Sequence, residues 1–219
     1  MASVTQPYPV HHEGVEVTEV KEALRHAIRA GRAKMNPRAR ARAGAGFARV
    51  VADLPQVAAA SCGAAYVARP SEPPTVPRLE RRASRGTQIL LPVLGDGLER
   101  DWAWYTSPGD LQVRAPGRPP EPTGPTLTPA ALTEAEAIIA PALAVDTAGG
   151  RLGQGGGWYD RVLRHAPPEV LIIAMVFPEE VYDARLRPLP TEQHDRPVDI
   201  VATPTGWQWL RTPDEPVEG

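Results

Sequence analysis

Apolar and polar positions change period several times along the chain, and each change marks an element. Thr18 can cap a helix whose first turn carries Glu19 and Glu22. Ala23, Leu24, Ala27, Ile28 and Gly31 then recur at helical spacing. Asn36-Pro37 is a second start signal, and Val50, Val51 and Leu54 form the apolar side of a helix ending near Leu54. The apolar run Ala64–Ala68, bounded by Gly63 and Pro70, predicts a buried strand. A helix over Thr75–Arg85 and a strand over Gln88–Val93 follow, then the turn Gly95-Asp96-Gly97 and an edge strand over Trp102–Tyr105. Residues 114–126 are rich in Pro and Gly and predict a long loop, and Thr128-Pro129 opens a helical turn. Ala137–Leu143 predicts a buried strand ending in an Asp146–Gly150 turn. A helix from Trp158 to Arg164 and strands over Val170–Val176 and Val198–Ala202 complete the pattern.

Strands alternate with helices, which predicts a three-layer α/β/α domain with a mostly parallel sheet. The expected domain spans residues 18–211, between a flexible leader (1–17) and a loose tail (212–219). Ligands in such folds sit on loops at the carboxyl ends of the strands.

Composition narrows the function classes. The chain has 219 residues and a formal net charge of -2, which argues against a general attraction to nucleic acid. The single cysteine, Cys62, cannot form a disulfide within the chain and reads as a buried structural residue suited to a reducing compartment. No apolar stretch approaches the ~20 residues of a membrane span, and the first residues lack the pattern of a secretory signal. His11 and His12 fall in the leader. A cytoplasmic monomer bound to neither membrane nor nucleic acid is the expectation.

The densest chemistry lies in Arg151-Leu152-Gly153-Gln154-Gly155-Gly156-Gly157-Trp158-Tyr159-Asp160-Arg161. A backbone without Cβ atoms lets a ligand approach several N–H groups, and a following helix N-terminus adds partial positive charge. Both favour phosphate. There is no Gly-Lys-Ser/Thr of a Walker A loop and no dinucleotide G-x-G-x-x-G in its usual place. Asp160 can reach a metal that bridges phosphates, and Trp158 and Tyr159 can stack on a flat ring. Taken alone, the run is also compatible with a mobile connector, a core aromatic pair and a solvated Asp160–Arg161 face. Lys21, Arg25, Arg29 and Arg32 likewise read as a solvated basic stripe or a weak nucleic-acid face.

Four separated motifs resemble the 5-formyltetrahydrofolate cyclo-ligase (methenyltetrahydrofolate synthetase) family. They are Lys21-Glu-Ala-Leu-Arg25, Glu72 after the Ala64–Ala68 run, Pro141 through Arg161, and Leu189-Pro190 with His194-Asp195-Arg196-Pro197-Val198-Asp199. The resemblance runs from about Lys21 to Pro204. It implies a fold similar to the NagB/RpiA/CoA-transferase-like fold. It also implies conversion of 5-formyltetrahydrofolate, with ATP and Mg²⁺, into 5,10-methenyltetrahydrofolate, ADP and phosphate. The formyl oxygen would attack the γ-phosphate, N10 would close on the activated carbon, and phosphate would leave. By resemblance, Lys21, Arg25 and the segment Arg151, Leu152, Gly153, Gln154, Gly155, Gly156, Gly157, Trp158 and Tyr159 would hold ATP. Val67, Glu72, Trp158 and Tyr159 would hold the folate, and Asp160 and Asp195 the Mg²⁺. Trp102 and Trp104 read equally well as folate-stacking or as edge-strand packing. His194 reads as a structural neighbour. Gln154 stands where the family usually has Arg or Lys, so one positive charge is missing and weaker ATP binding is expected. Trp158 keeps the ring of the commoner Tyr without its hydroxyl. A non-catalytic folate- or nucleotide-binding member of the same family is the alternative, and a nucleic-acid module using the basic N-terminal helices is a third.

Overall fold

The computed structural model describes residues 16–94, 100–192 and 195–211. His11, His12, the turn Gly95-Asp96-Gly97, His194 and the tail lie outside them.

Helix α1 (Val17–Ala33) starts after Glu16, and no side chain caps it. Thr18 therefore sits inside the first turn instead of capping it. The buried stripe is narrower than predicted: Val20, Leu24 and Ile28 face inward with Lys21 and Arg32, whereas Ala23 and Gly31 are exposed. Helix α2 (Pro37–Ala52) starts as expected, with Asn36 Oδ1 accepting from Ala39 N at 2.8 Å. A short α3 (Pro55–Ala59) leads into β1 (Cys62–Ala64).

Strand β1 corrects the predicted Ala64–Ala68 strand. Ala65 N still bonds Leu90 O at 3.0 Å, and then the chain leaves the sheet with Ala65, Tyr66 and Val67 buried. The apolar run records burial, not pairing. Cys62 is buried as expected, and burial pushes its thiol up to about 11, so it stays protonated.

Helix α4 (Val76–Ala83) precedes the antiparallel pair β2 (Gln88–Leu94) and β3 (Arg100–Trp104). The Pro-rich segment holds a small hairpin, β4 (Leu111–Gln112) with β5 (Glu121–Pro122). A 3₁₀ turn over Pro129–Glu134 leads to β6 (Ala137–Pro141), β7 (Ala144–Asp146) and β8 (Arg151–Leu152). Helix α5 is a single turn, Trp158–Val162, and a 3₁₀ turn replaces the rest of the predicted Trp158–Arg164 helix. Strand β9 (Leu171–Met175), the 3₁₀ turn Pro178–Glu180, β10 (Val181–Tyr182), β11 (Ile200–Thr203) and β12 (Gly206–Trp209) follow.

The main sheet has the order β12-β11-β9-β6-β1-β2-β3. Its central neighbours run parallel, and β3 and β12 add antiparallel edges. Nearly every residue of β6 and β9 is buried, as in a sheet covered on both faces. The second sheet, β10-β7-β8, was not predicted. Leu24 and Ile28 of α1 pack on it with Leu143, Leu152, Tyr182 and Leu189.

Arg32 overturns its reading as part of a solvated stripe. It is 2 % exposed and meets Glu180, itself 4 % exposed. Nε donates to Oε1 at 2.7 Å and Nη2 to Oε2 at 2.8 Å. Nη2 also bonds Ala142 O at 3.0 Å, and Glu180 Oε2 accepts from Phe177 N at 2.8 Å. Removing one partner strands a buried charge. Arg32→Ala should therefore lower the unfolding free energy by about 3–5 kcal/mol. Urea titration measures this, and a loss below about 1 kcal/mol would mean that Glu180 finds water or another partner.

Candidate functional site

A cleft of about 400 Å³ opens where the parallel strands end, large enough for a small-molecule ligand. Tyr66, Val67 and Glu72 form one wall, on the segment that follows β1. Pro92, Leu94 and Arg100 come from β2 and β3, and Arg118 to Glu121 from the β4–β5 hairpin. Gly153 to Asp160 complete the lining and touch the first segment through Gln154 and Tyr159.

The glycine run is shaped by left-handed backbone at Gly155 (φ 97°) and Gly157 (φ 60°). At Gly155 a Cβ would also come within 3.3 Å of Glu22 Oε1 on α1. Because α5 is only one turn long, its dipole adds little, contrary to the sequence expectation. Positive charge comes instead from α1. Arg25 Nε donates to Gly153 O at 2.9 Å, and Arg29 Nη2 donates to Gln154 O at 2.6 Å. Arg25 also meets Glu22 Oε1 at 2.6 Å. Arg29 is exposed, as the stripe reading has it, but unlike a free base it is held on the Gln154 carbonyl. Lys21, Arg25 and Arg29 follow one another at four-residue intervals, which was the available signal.

Lys21 is buried and donates to Glu192 Oε2 at 2.6 Å and Asp195 Oδ2 at 3.1 Å. Burial alone would lower its ammonium, but those two carboxylates outweigh it and hold it above the usual value. Asp195 also accepts from Glu192 N at 2.9 Å. Its contact with Lys21 ties it to α1, so it is more than a free surface acid, but neither of the two lines the cleft.

Arg151, on β8, is buried and pairs with Asp160 Oδ1 through Nη2. Leu152 faces the small core beneath α1, so only its backbone can meet a ligand. Gln154 Nε2 donates to Glu72 Oε1 at 2.5 Å, and Glu72 Oε2 accepts from Arg69 N at 2.8 Å. Gln154 therefore turns its side chain toward the acid that carries the folate resemblance. Val67 lines the same wall. Tyr159 donates its hydroxyl to Ala65 O at 3.2 Å, and burial pushes its phenol well above the usual value. Trp158 lines the cleft and meets Trp102 edge-on, with ring centroids 4.9 Å apart. Trp102 is fully buried behind it, and Trp104 packs against the core, so neither forms the cleft wall.

Among the described residues no three His, Cys, Asp or Glu side chains converge into a metal cage. Asp160 and Asp195 supply hard oxygen donors, the kind Mg²⁺ takes one or two of when phosphates complete its shell. Carboxylates of this kind suit that ion, but each has a basic partner of its own, and of the two only Asp160 lines the cleft.

Sequence reasoning missed Asp146 as a positioning group. It is 2 % exposed. Its Oδ1 accepts from Ala148 N at 3.0 Å and Gly150 N at 2.8 Å, and its Oδ2 from Leu189 N at 2.8 Å. One side chain thereby joins the turn before Arg151 to the segment leading to Asp195.

Residues 17–204 match the model of the 5-formyltetrahydrofolate cyclo-ligase family. The chain belongs to this family. A 5-formyltetrahydrofolate cyclo-ligase of Mycolicibacterium smegmatis is 40% identical over 145 residues, 64% of this chain and 72% of that protein. The Escherichia coli K12 protein of the same name is 28% identical over 188 residues, 83% of this chain and 100% of that protein. The solved structure of Aquifex aeolicus 5,10-methenyltetrahydrofolate synthetase superposes with a TM-score of 0.74 at 26% identity, covering 91% of this chain and 97% of that one. The Mycoplasma pneumoniae synthetase, at 17% identity and a TM-score of 0.64, shares the fold over 84% of this chain and 98% of that one. The cyclo-ligase match spans every site residue from Lys21 to Asp195.

In this cyclo-ligase, Asp146→Ala should lower the unfolding free energy by about 1–3 kcal/mol, because three buried or half-buried N–H groups lose their acceptor. Hydrogen exchange at Ala148, Gly150 and Leu189 should quicken together. Unchanged exchange would show that the turn holds without the carboxylate.

Proposed function

We propose that the chain converts 5-formyltetrahydrofolate, with ATP and Mg²⁺, into 5,10-methenyltetrahydrofolate, ADP and phosphate. One observation carries the reading. Two bases of α1 sit against the Gly153 and Gln154 carbonyls, at the edge of a cleft that Glu72 also lines. Phosphate chemistry and a carboxylate suited to a pterin N–H edge thus share one space.

The reaction needs alignment and charge neutralisation more than acid–base groups. Backbone N–H groups of the glycine run, with Lys21, Arg25 and Arg151, would hold the triphosphate, and Arg29 stiffens the run from outside. Asp160 and Asp195 would hold Mg²⁺, which when bound offsets negative charge on the transferred phosphoryl group. Glu72 would accept from the amino and ring N–H edge of the pterin, with Val67 and Trp158 against its flat faces. Tyr159 fixes the loop to the segment after β1 through Ala65 O. The formyl oxygen would then take the γ-phosphoryl group with release of ADP, and N10 would close on the activated carbon as phosphate leaves. The proposed setting is a cytoplasmic monomer with no nucleic-acid partner, and no described helix is long and apolar enough to cross a membrane.

The direct test mixes purified protein, 5-formyltetrahydrofolate and Mg-ATP and follows the near-ultraviolet absorbance of the methenyl product. A rise that requires all three is expected. No rise with folate or ATP binding intact would establish the non-catalytic binding protein.

Two variants probe the roles. Asp160→Asn should cut Mg²⁺-dependent turnover about 100-fold or more while the protein stays folded. Near-normal turnover would remove Asp160 from the metal site. Gln154→Arg would place a guanidinium on Glu72, where the amide now donates. The KM for 5-formyltetrahydrofolate should rise several-fold as the pterin competes with an ion pair, by roughly the 1 kcal/mol of a partly exposed pair. A lower ATP KM with unchanged folate KM would instead place the new charge on phosphate.

A further inference from the structure

Glu121 is a buried acid for which the mechanism has no use. It opens β5 and is 6 % exposed, yet it lines the cleft. Its Oε2 is buried and has no hydrogen-bond donor. Arg114 Nε stands 3.6 Å away, close enough to balance the charge and too far to donate. The neighbouring chain offers little help, because Pro119, Pro120 and Pro122 have no backbone N–H. Glu72, the other buried acid of the cleft, differs: Gln154 and Arg69 N already supply a donor to each of its oxygens. A buried carboxylate oxygen in a protein is nearly always matched by a donor. Glu121 also lines the cleft, so a ligand held there can supply the missing donor once the carboxylate turns toward it.

We infer that Glu121 is a second folate-binding acid, which accepts a hydrogen bond from an N–H of the reduced pterin. The inference rests on the folate reading of the cleft. 5-Formyltetrahydrofolate carries N–H donors on its amino group and ring nitrogens, so two acids can engage separate edges of one heterocycle. Glu72 gives up an internal partner on binding, whereas Glu121 gains a donor it lacked. The adenine amino group of ATP is the other N–H source at this site. It is the less suitable one, because Glu121 shares the cleft with Val67 and Glu72, the two residues that carry the folate reading alone.

The test compares wild-type protein with Glu121→Gln and Glu121→Ala in steady-state assays against each substrate, with melting curves and calorimetric titration of 5-formyltetrahydrofolate. The expected result is a rise of about 10- to 100-fold in the folate KM and Kd. The ATP KM should stay within about twofold, and the melting temperature should not fall. An unchanged folate KM and Kd overturns the inference, and so does a rise confined to the ATP KM. Parallel rises in both constants with a lower melting temperature overturn it too, since they assign Glu121 to holding the hairpin through Arg114. The wild-type result separates this inference from the reading beneath it. Wild-type turnover with an indifferent Glu121→Gln defeats the inference alone, whereas wild-type protein that neither binds nor converts 5-formyltetrahydrofolate defeats both.

Discussion

The buried pair between Arg32 and Glu180 holds one end of α1, and the geometry of the site depends on where α1 lies. The guanidinium is bidentate to the carboxylate and also reaches Ala142 O, so it joins helix, 3₁₀ turn and the β6–β7 junction at one point. From that point α1 runs past the glycine run, and Lys21 stands about 16 Å along its axis. Arg29 and Arg25 meet successive carbonyls of the run on the way. The apolar stripe of Leu24 and Ile28 seats the helix on the small sheet. That burial supplies adhesion without direction, and the ion pair sets register, a role buried pairs can fill even when their net stabilisation is modest.

Much of the main sheet was legible because its strands are long enough to show a pattern. Leu171–Met175 lies within the predicted Val170–Val176, and Asn36 caps α2 as its type suggests. The small sheet was not legible. Its strands are two or three residues long, too short to carry a period of two. The run after Cys62 misled for a different reason: Ala65 to Val67 are buried, with Tyr66 and Val67 in the cleft wall, although β1 ends at Ala64. In the candidate site, the motif residues could be proposed from their resemblance. Their partners could not, because Arg32 finds Glu180 148 positions away and Arg29 finds Gln154 125 positions away. No local signal spans such distances. The Gln154 position shows the limit best. Its type suggested a missing charge near phosphate, but the fold turns its amide to Glu72.

Nearly every charged group of the site is already partnered. Lys21 has Glu192 and Asp195, Arg151 has Asp160, and Arg25 has Glu22. Such pairing keeps the half-buried charges compatible with a stable fold. It also means that ligands bind by exchange. Each new contact to phosphate or metal replaces an internal one, so affinity is the difference between two sets of contacts. A site of this kind favours ligands that replace several partners together, as ATP with its metal would.

The bond between Lys21 and Asp195 has a consequence for how the molecule is assembled. It closes a loop of 174 positions, and the small sheet gathers residues 144–146, 151–152 and 181–182 under a helix that begins at Val17. Contacts so distant along the chain form after much entropy has been lost, in a topology whose parallel strands already fold slowly. A nascent chain therefore holds the glycine run long before it holds a complete site. Ligand that binds only the finished site draws the whole folding equilibrium toward it by mass action, so occupancy doubles as a check that the last strands have docked.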